Sequence, residues 1–342
     1  MKCCMSLISA IKLSLKVVTA LLVSISVPTS VSFATEPTMI CAIYPHLKDS
    51  YWLSVNYGMV DQAKKEGIEL RVLESGGYLN LEKQREQMSQ CVEWQADAII
   101  LGSVSPELFY SSLNSVAASI PVFATVNQLT LDNSNQAALK GQVGVNWYWM
   151  GFYAGDYLKT KHPIGSGVVN VVLLPGPQLS GGTKPVIEGF YSAIAASDIN
   201  VVETYWADND KELQRNLVQI AIDNKNIDYI VGSAVAIEAA ISELRSTNLT
   251  NEIKLISTYL SHGVYRGLLR NKVEFAPTDK MVLQGRMSIL QATHYLRGED
   301  YNKKQAPTIE SLTPQNLNPE VIAQSLSPSE YRPTFNVYSE NN

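Results

Sequence analysis

The fold turns on "VVNVVLLPGP", Val168 to Pro177. Almost every side chain in it is apolar and branched, and a Pro-Gly-Pro closes the run. That is the composition of a strand buried on both faces of a parallel sheet. The next stretch, "KPVIEGFYSAIAAS" (Lys184–Ser197), carries its apolar residues at helical spacing. The chain has already run through a series of this kind before Val168, so this strand marks a restart.

Upstream, "MICAIYP" (Met39–Pro45) reads as a strand and "WLSVNYGMVDQAKKEG" (Trp52–Gly67) as a helix closed by Gly67. "IELRVLES", "LEKQREQMSQCVEWQ", "DAIILGS", "PELFYSSLNSVAAS" and "PVFATVN" continue the alternation of strand and helix. Downstream of the restart come "NVVETYWAD", "KELQRNLVQIAIDN", "DYIVGS", "AIEAAISELRST" and "KLISTYL". Such βαβ series imply parallel sheets, right-handed crossovers and helices on both faces. The expected fold is α/β, with two doubly wound parallel-sheet lobes. "VEFAPTD" and "MVLQGRMSILQATHYLRG" add another strand and helix. The tail from Gln305 to Asn342, with a short helix near Val321 to Leu326, is too small for a third domain and is expected to return to the lobes. The boundaries so read are 35–146 plus 260–304 for the N-terminal lobe and 147–259 plus 305–342 for the C-terminal lobe.

Residues 1–34 have the pattern of a secretory signal peptide. Lys2, Lys12 and Lys16 supply charge, "VVTALLVSISV" the apolar run, and Ser32-Phe33-Ala34 a small-x-small cleavage site. No cysteine follows that site to take a lipid anchor, and no later stretch approaches the roughly 20 apolar residues of a membrane helix. The expected location is the periplasm. A net charge of -5 with 17% charged residues offers no basic field for nucleic acid and no patch for a membrane surface. Cys41, in the first strand, and Cys91, in the second helix, are an even pair in an oxidising compartment. A disulfide is their leading reading, with two buried thiols as the alternative. The four histidines lack ligand spacing, so no metal is expected.

The stretches "YPHLKDSYWLSVNYGM" (Tyr44–Met59), "GGY" (Gly76–Tyr78), "LGS", "GVNWYWMG" (Gly144–Gly151), "LLPGP", "DNDKELQRNL" and "YLSHGVYRGL" resemble the ribose-type (type I) periplasmic binding proteins. The similarity covers Met39 to about Tyr338. It implies about three crossings between the lobes and hinge closure on a ligand. Within the family it is nearest to sensors of trimethylamine N-oxide that report to a membrane histidine kinase. The departures from sugar-binding members concern the polar clamps. Val186 stands where an Arg three residues before Gly189-Phe190 would read hydroxyls, and "GSAVAIEAA" and "STYLS" replace an Asn-Asp and a Gly-Phe-Asp. Sugar hydroxyls would be left unpaired, so sugar is disfavoured.

Ligands of open α/β sheets sit beyond the carboxyl ends of the strands. There the sequence places Tyr44, Asp49, Tyr51 and Trp52, then Tyr78, then Trp147, Tyr148 and Trp149, then Tyr259. An aromatic cage suits a methylated amine, whose methyl groups want apolar contact and whose positive charge is drawn to ring faces. The resemblance singles out Trp52, Tyr78 and Trp147 as ligand contacts, followed by Tyr259, Tyr44 and Asp49. Tyr51 and Tyr148 each adjoin a Trp and are expected to point away. Asp208 and Asp210 read as helix caps. "GPQLSGGTK" lacks Walker A spacing and reads as a flank of the cleft, so no cofactor is expected. Ser261-His262 are adjacent and unsuited to nucleophile–base geometry, and there is no G-x-S-x-G elbow. The expected role is therefore a binding component rather than an enzyme. The same fold and pocket would equally serve delivery of a quaternary amine to a membrane transporter.

Overall fold

The computed structural model describes residues 37–178, 182–223 and 226–339; the expected signal peptide lies outside them. The first series of elements is β1 (Met39–Tyr44), α1 (Ser50–Glu66), β2 (Glu69–Glu74), α2 (Leu81–Glu93), β3 (Ala98–Leu101), α3 (Leu113–Val116), β4 (Val122–Thr125) and β5 (Leu139–Val143). The second is α4 (Trp147–Lys161), β6 (Val169–Gly176), α5 (Thr183–Ile194), β7 (Ile199–Trp206), α6 (Lys211–Asp223), β8 (Tyr229–Gly232), α7 (Ala234–Ser246), β9 (Lys254–Ser257), α8 (His262–Leu269) and β10 (Ala276–Thr278). Then follow α9 (Met281–Leu296), β11 (Lys304–Gln305), β12 (Glu310–Leu312), α10 (Pro319–Ser325) and β13 (Asn336–Val337).

The N-terminal lobe holds the sheet β11-β5-β4-β3-β1-β2-β13, and the C-terminal lobe holds β7-β6-β8-β9. Every pairing in the two sheets is parallel except β13 on β2. Central β1 is buried along its whole length, as its unbroken apolar run requires, whereas edge strand β7 keeps exposed positions. Asp49 caps α1 by accepting from the amides of Tyr51 and Trp52, and Gly67 ends the helix at φ 67°. The expected helix over Pro106–Ser119 shrinks to α3, a single turn. Its serines offer the backbone competing partners, as Ser115 Oγ does by bonding the Ser112 carbonyl.

In each lobe the helix that follows a crossing lies directly on the helix that follows the lobe's first strand. A Cβ on Gly151 of α4 would sit 1.8 Å from the Val186 carbonyl oxygen, and one on Gly189 of α5 would sit 1.9 Å from that of Tyr148. The pair α1 and α9 repeats the arrangement with Gly58 against Val282 and Gly285 against Val55. Arg286–Asp61 and Arg297–Glu66 ion pairs, both 2.8 Å, add to the second pair. Cys41 and Cys91 form a disulfide that ties β1 to α2, with both residues fully buried.

Two boundary expectations are corrected. Residues 260–279 belong with the C-terminal lobe, because α8 packs on α7 and Phe275 bridges Ile256 of β9. The tail does not stay with that lobe. After β12 pairs with β10 at the seam, α10 packs on α9 and β13 joins the edge of the N-terminal sheet. The chain thus makes a return beyond the three crossings at 143–147, 278–281 and 305–310. A two-residue strand has no periodicity to announce it. Asn56 of α1 fixes the tail instead, its Oδ1 accepting from the Tyr331 hydroxyl (2.7 Å) and the Thr334 amide (3.1 Å).

Gly189→Ala is expected to cost about 1–3 kcal/mol through forced separation of α4 and α5, read as a lower urea midpoint. Replacing Cys41 and Cys91 together by Ala removes closure of a loop spanning a sequence separation of 50, worth up to about 4 kcal/mol in the chain-entropy account. Calorimetric melting of oxidised and double-Ala protein measures it.

Candidate functional site

The carboxyl ends of both sheets face each other across a small cavity of about 40 Å³. On that measure one water needs about 10–15 Å³, so there is room for a ligand of a few heavy atoms and no more. The N-terminal lobe contributes Asp49, Tyr51 and Trp52 from the start of α1, Tyr78 after β2, and Val126 and Asn127 after β4. The facing wall holds Pro175 from β6, Gly182, Thr183 and Val186 at the start of α5, Asn209 after β7, and Thr258 and Tyr259 after β9. Trp147 sits between them as the first residue of α4. A wider cleft of about 460 Å³ shares Asp49, Tyr51, Asn209 and Tyr259 and adds Lys48, Asp210 and Glu238.

Five of the six expected residues line the cavity: Trp52, Tyr78, Trp147, Tyr259 and Asp49. Tyr44 stands behind it. Its ring stacks under Trp52 at 5.6 Å, and its hydroxyl donates to Met59 Sδ at 3.0 Å. Tyr51, expected to point away, is a wall, with its ring edge-on to Tyr259 at 5.4 Å and tilted against Trp147 at 6.0 Å. The first turn of α1 points end-on at the cavity, so consecutive residues both reach it. Tyr148 and Trp149 face outward, where they pack on each other and on Phe152.

The rings are held by specific bonds. Gly102 of the "LGS" stretch lies so near the Trp52 ring that a Cβ there would meet it at 2.4 Å. Trp52 Nε1 donates to the Tyr78 hydroxyl (3.1 Å), and Trp147 Nε1 reaches across to the Val126 carbonyl (3.4 Å). Val126 has φ 61°, a left-handed conformation that a β-branched residue adopts only under constraint. Burial holds the hydroxyls of Tyr51, Tyr78 and Tyr259 well above the ordinary tyrosine range, so all three stay protonated donors near neutrality.

Polar lining is sparse. Asp49 is engaged as the α1 cap, and Asp210 likewise caps α6 through the Glu212 and Leu213 amides. Asn209 between the two aspartates is the residue that reaches the cavity, and its buried Oδ1 has no partner among the described residues. Asn127 and Asn209 were not anticipated, since a loop asparagine carries no pattern of its own. Ser261 Oγ donates to Glu238 and caps α8, while His262 Nε2 meets the Ser327 carbonyl, so the two do not face each other. Among the described residues no group of His, Cys, Asp and Glu is placed to hold a metal ion, and no helix is long and apolar enough to cross a membrane.

Behind Tyr51 lies the one carboxyl near the cavity that is wholly buried. The Tyr51 hydroxyl donates to Asp279 Oδ2 at 2.5 Å, and Gln284 Nε2 donates to the same oxygen at 2.7 Å. Burial nonetheless pushes the Asp279 carboxyl above its ordinary value, outweighing the hydrogen bonds that pull it down.

Comparison with known proteins places this geometry. Residues 37–335 match the family described as periplasmic binding proteins and sugar binding domain of the LacI family. Periplasmic protein TorT of Escherichia coli (strain K12) is 43% identical over 298 residues, 86% of this chain and 84% of that protein. The TorS sensor domain–TorT complex, solved without ligand and in the presence of trimethylamine N-oxide, contains a chain 64% identical at a TM-score of 0.83. The match covers 87% of this chain and 99% of that one. An ABC transporter solute binding protein from Bradyrhizobium sp. BTAi1, solved with bis-tris bound, is 35% identical at a TM-score of 0.74, covering 88% and 90%.

A raised folded-state value means that Asp279 holds its proton more tightly folded than unfolded. The resulting stability is complete below the ordinary carboxylate range and is lost as pH rises through the raised value. Asp279→Asn is neutral throughout. Its stability relative to the native chain is therefore expected to improve from pH 4 to pH 7, measured by urea unfolding at both; a constant difference would contradict the burial account.

Proposed function

Because the chain belongs to the periplasmic binding protein family, we propose that it is a periplasmic sensor component that binds trimethylamine N-oxide between its lobes and regulates a membrane histidine kinase of the TorS kind. Its role is binding, not catalysis. The observation that carries the ligand is the ring-walled cavity itself, sized for a few heavy atoms and lined with Val186 where a hydroxyl-reading clamp would stand.

The chemistry of the ligand fits these walls. Three methyl groups polarised by a positive nitrogen meet ring faces, each contact contributing roughly 0.5–2 kcal/mol when desolvated. The negative oxygen needs a donor. The Tyr78 hydroxyl already accepts from the Trp52 indole, so its own hydrogen is free to turn into the cavity. A sugar would bring more hydroxyls than these walls can pair, at about 1–3 kcal/mol for each polar group left buried and unsatisfied.

Control of a kinase requires that the ligand bind with different affinity in the different states of the complex. A cavity whose walls come from both lobes meets that requirement, because its shape depends on how the lobes are set. The resemblance to a chain crystallised with the TorS sensor domain supports this partner. The delivery reading draws support from the transporter-associated protein at 35% identity. Binding to a kinase sensor domain separates the two.

Calorimetric titration with trimethylamine N-oxide, tetramethylammonium, betaine and ribose, with and without the TorS sensor domain, is the test. The N-oxide is expected to bind and ribose to be silent; the reverse would overturn the ligand assignment. Trp147→Ala should weaken N-oxide binding at least tenfold. Tyr78→Phe should lose about tenfold of the preference for the N-oxide over tetramethylammonium, which has the same shape without the oxygen, consistent with one lost hydrogen bond. Normal binding by both variants would place the ligand elsewhere.

A further inference from the structure

Tyr51 belongs to two structures at once. Its ring is a wall of the cavity, set between Tyr259 and Trp147. Its hydroxyl leaves the cavity and bonds Asp279, 228 residues away in sequence. Asp279 lies in the second crossing, between β10 of the C-terminal lobe and α9 of the N-terminal lobe. Groups from the seam and from α9 fix that crossing. Gln284 of α9 donates to the backbone carbonyl of Asp279 (2.9 Å) as well as to its carboxyl, and Thr278 Oγ1 donates to Ser325 Oγ (2.8 Å). Lys280, the next residue, turns the chain at φ 56°. A residue held left-handed between two lobes is where a small torsional change swings one lobe against the other.

The geometry points to Asp279 as a positioning residue for the cage: we propose that it holds the Tyr51 ring by the hydroxyl and so ties the shape of the cavity to the angle of the second crossing. A ligand that fills the cage selects one placement of Tyr51 and thereby one setting of the crossing. A lobe setting imposed from outside preshapes the cage in return, as linkage demands. Asp279 touches no cavity space itself, because the Tyr51 ring stands between. The inference deepens the sensor reading and rests on it only for the identity of the ligand.

The test uses the mature chain carrying spin labels at Tyr110→Cys and Tyr191→Cys, exposed positions in the two lobes. Tyr51→Phe keeps the ring and removes the hydroxyl, Asp279→Ala removes the acceptor, and Asp279→Asn restores an acceptor of the same size. Without ligand, Tyr51→Phe and Asp279→Ala should each broaden the interlobe distance distribution, their combination should broaden it no further, and Asp279→Asn should return it close to native. With trimethylamine N-oxide, each of the first two should raise Kd about tenfold and the pair together also about tenfold, rather than a hundredfold. Unchanged ligand-free distributions, additive losses, or failure of Asn to restore the native pattern would each overturn the proposal. Should Asp279→Ala not fold, Tyr51→Phe against Asp279→Asn makes the same comparison. If the native chain ignores the N-oxide while the ligand-free pattern holds, the ligand assignment fails and the coupling stands.

Discussion

Two places where helix backbones touch fix the spacing of the helices whose first turns help wall the cavity. Gly151 and Gly189 let α4 and α5 close to contact through their carbonyl oxygens, and Gly58 and Gly285 do the same for α1 and α9. At that separation no side chain intervenes to take up slack, and packed interiors transmit small shifts rather than absorb them. The first turns of these helices supply part of the cavity wall: Tyr51 and Trp52 on α1, Trp147 on α4, Thr183 and Val186 on α5. Loops such as those of Tyr78 and Tyr259 supply the rest. Asp279 immediately precedes α9. A cage of rings can therefore be narrow without being built on loops alone, which is the condition for holding a ligand with so few polar handles.

The cavity is also where the structure departs from local comfort. Val126 is left-handed, the Asn209 amide oxygen has no partner, and the Asp279 carboxyl is buried with one oxygen unsatisfied. Strained conformations of this kind cost about 1–3 kcal/mol each and persist only where surrounding structure over-determines them. Here the surroundings do so. The Val126 carbonyl receives the Trp147 indole from across the cleft, and the Val126 amide bonds the Val143 carbonyl. Left-handed residues and unpaired buried polar atoms occur elsewhere too, at Asn248 and Gln291 for example, but these three gather at the junction of the two lobes, beside the rings.

Much of this was legible in the sequence because it rests on periodicity and on chain ends. Alternation of apolar runs announced two parallel sheets, and the rule that ligands lie beyond the strands' carboxyl ends gathered most of the aromatics that line the cavity. What the sequence could not separate was the ring that lines a cavity from the ring behind it. Tyr44 and Tyr51 are both tyrosines near Trp52, yet one stacks beneath it and the other faces the space, a distinction made by the pitch of α1 against the sheet. Asn127 and Asn209 carried no pattern, and Asp279 looked like an ordinary residue at the end of "VEFAPTD". Lobe assignment failed at α8 and β13, because which lobe they join is decided by tertiary pairing rather than by local preference.

The tail's attachment has a temporal side. Apart from β12, which returns to pair with β10, the C-terminal lobe is one continuous piece of chain, from Trp147 through the crossing at Asp279. The N-terminal lobe begins earlier yet takes α9, β11 and β13 from the far end, and Asn56 awaits Tyr331 and Thr334. A polypeptide emerging from its N-terminus can close the second lobe before it can close the first. The lobe that is made first is the last to be finished, and until then β2 presents an open edge. A chain cut just before Tyr331 would carry its injury in the half of the molecule it began with.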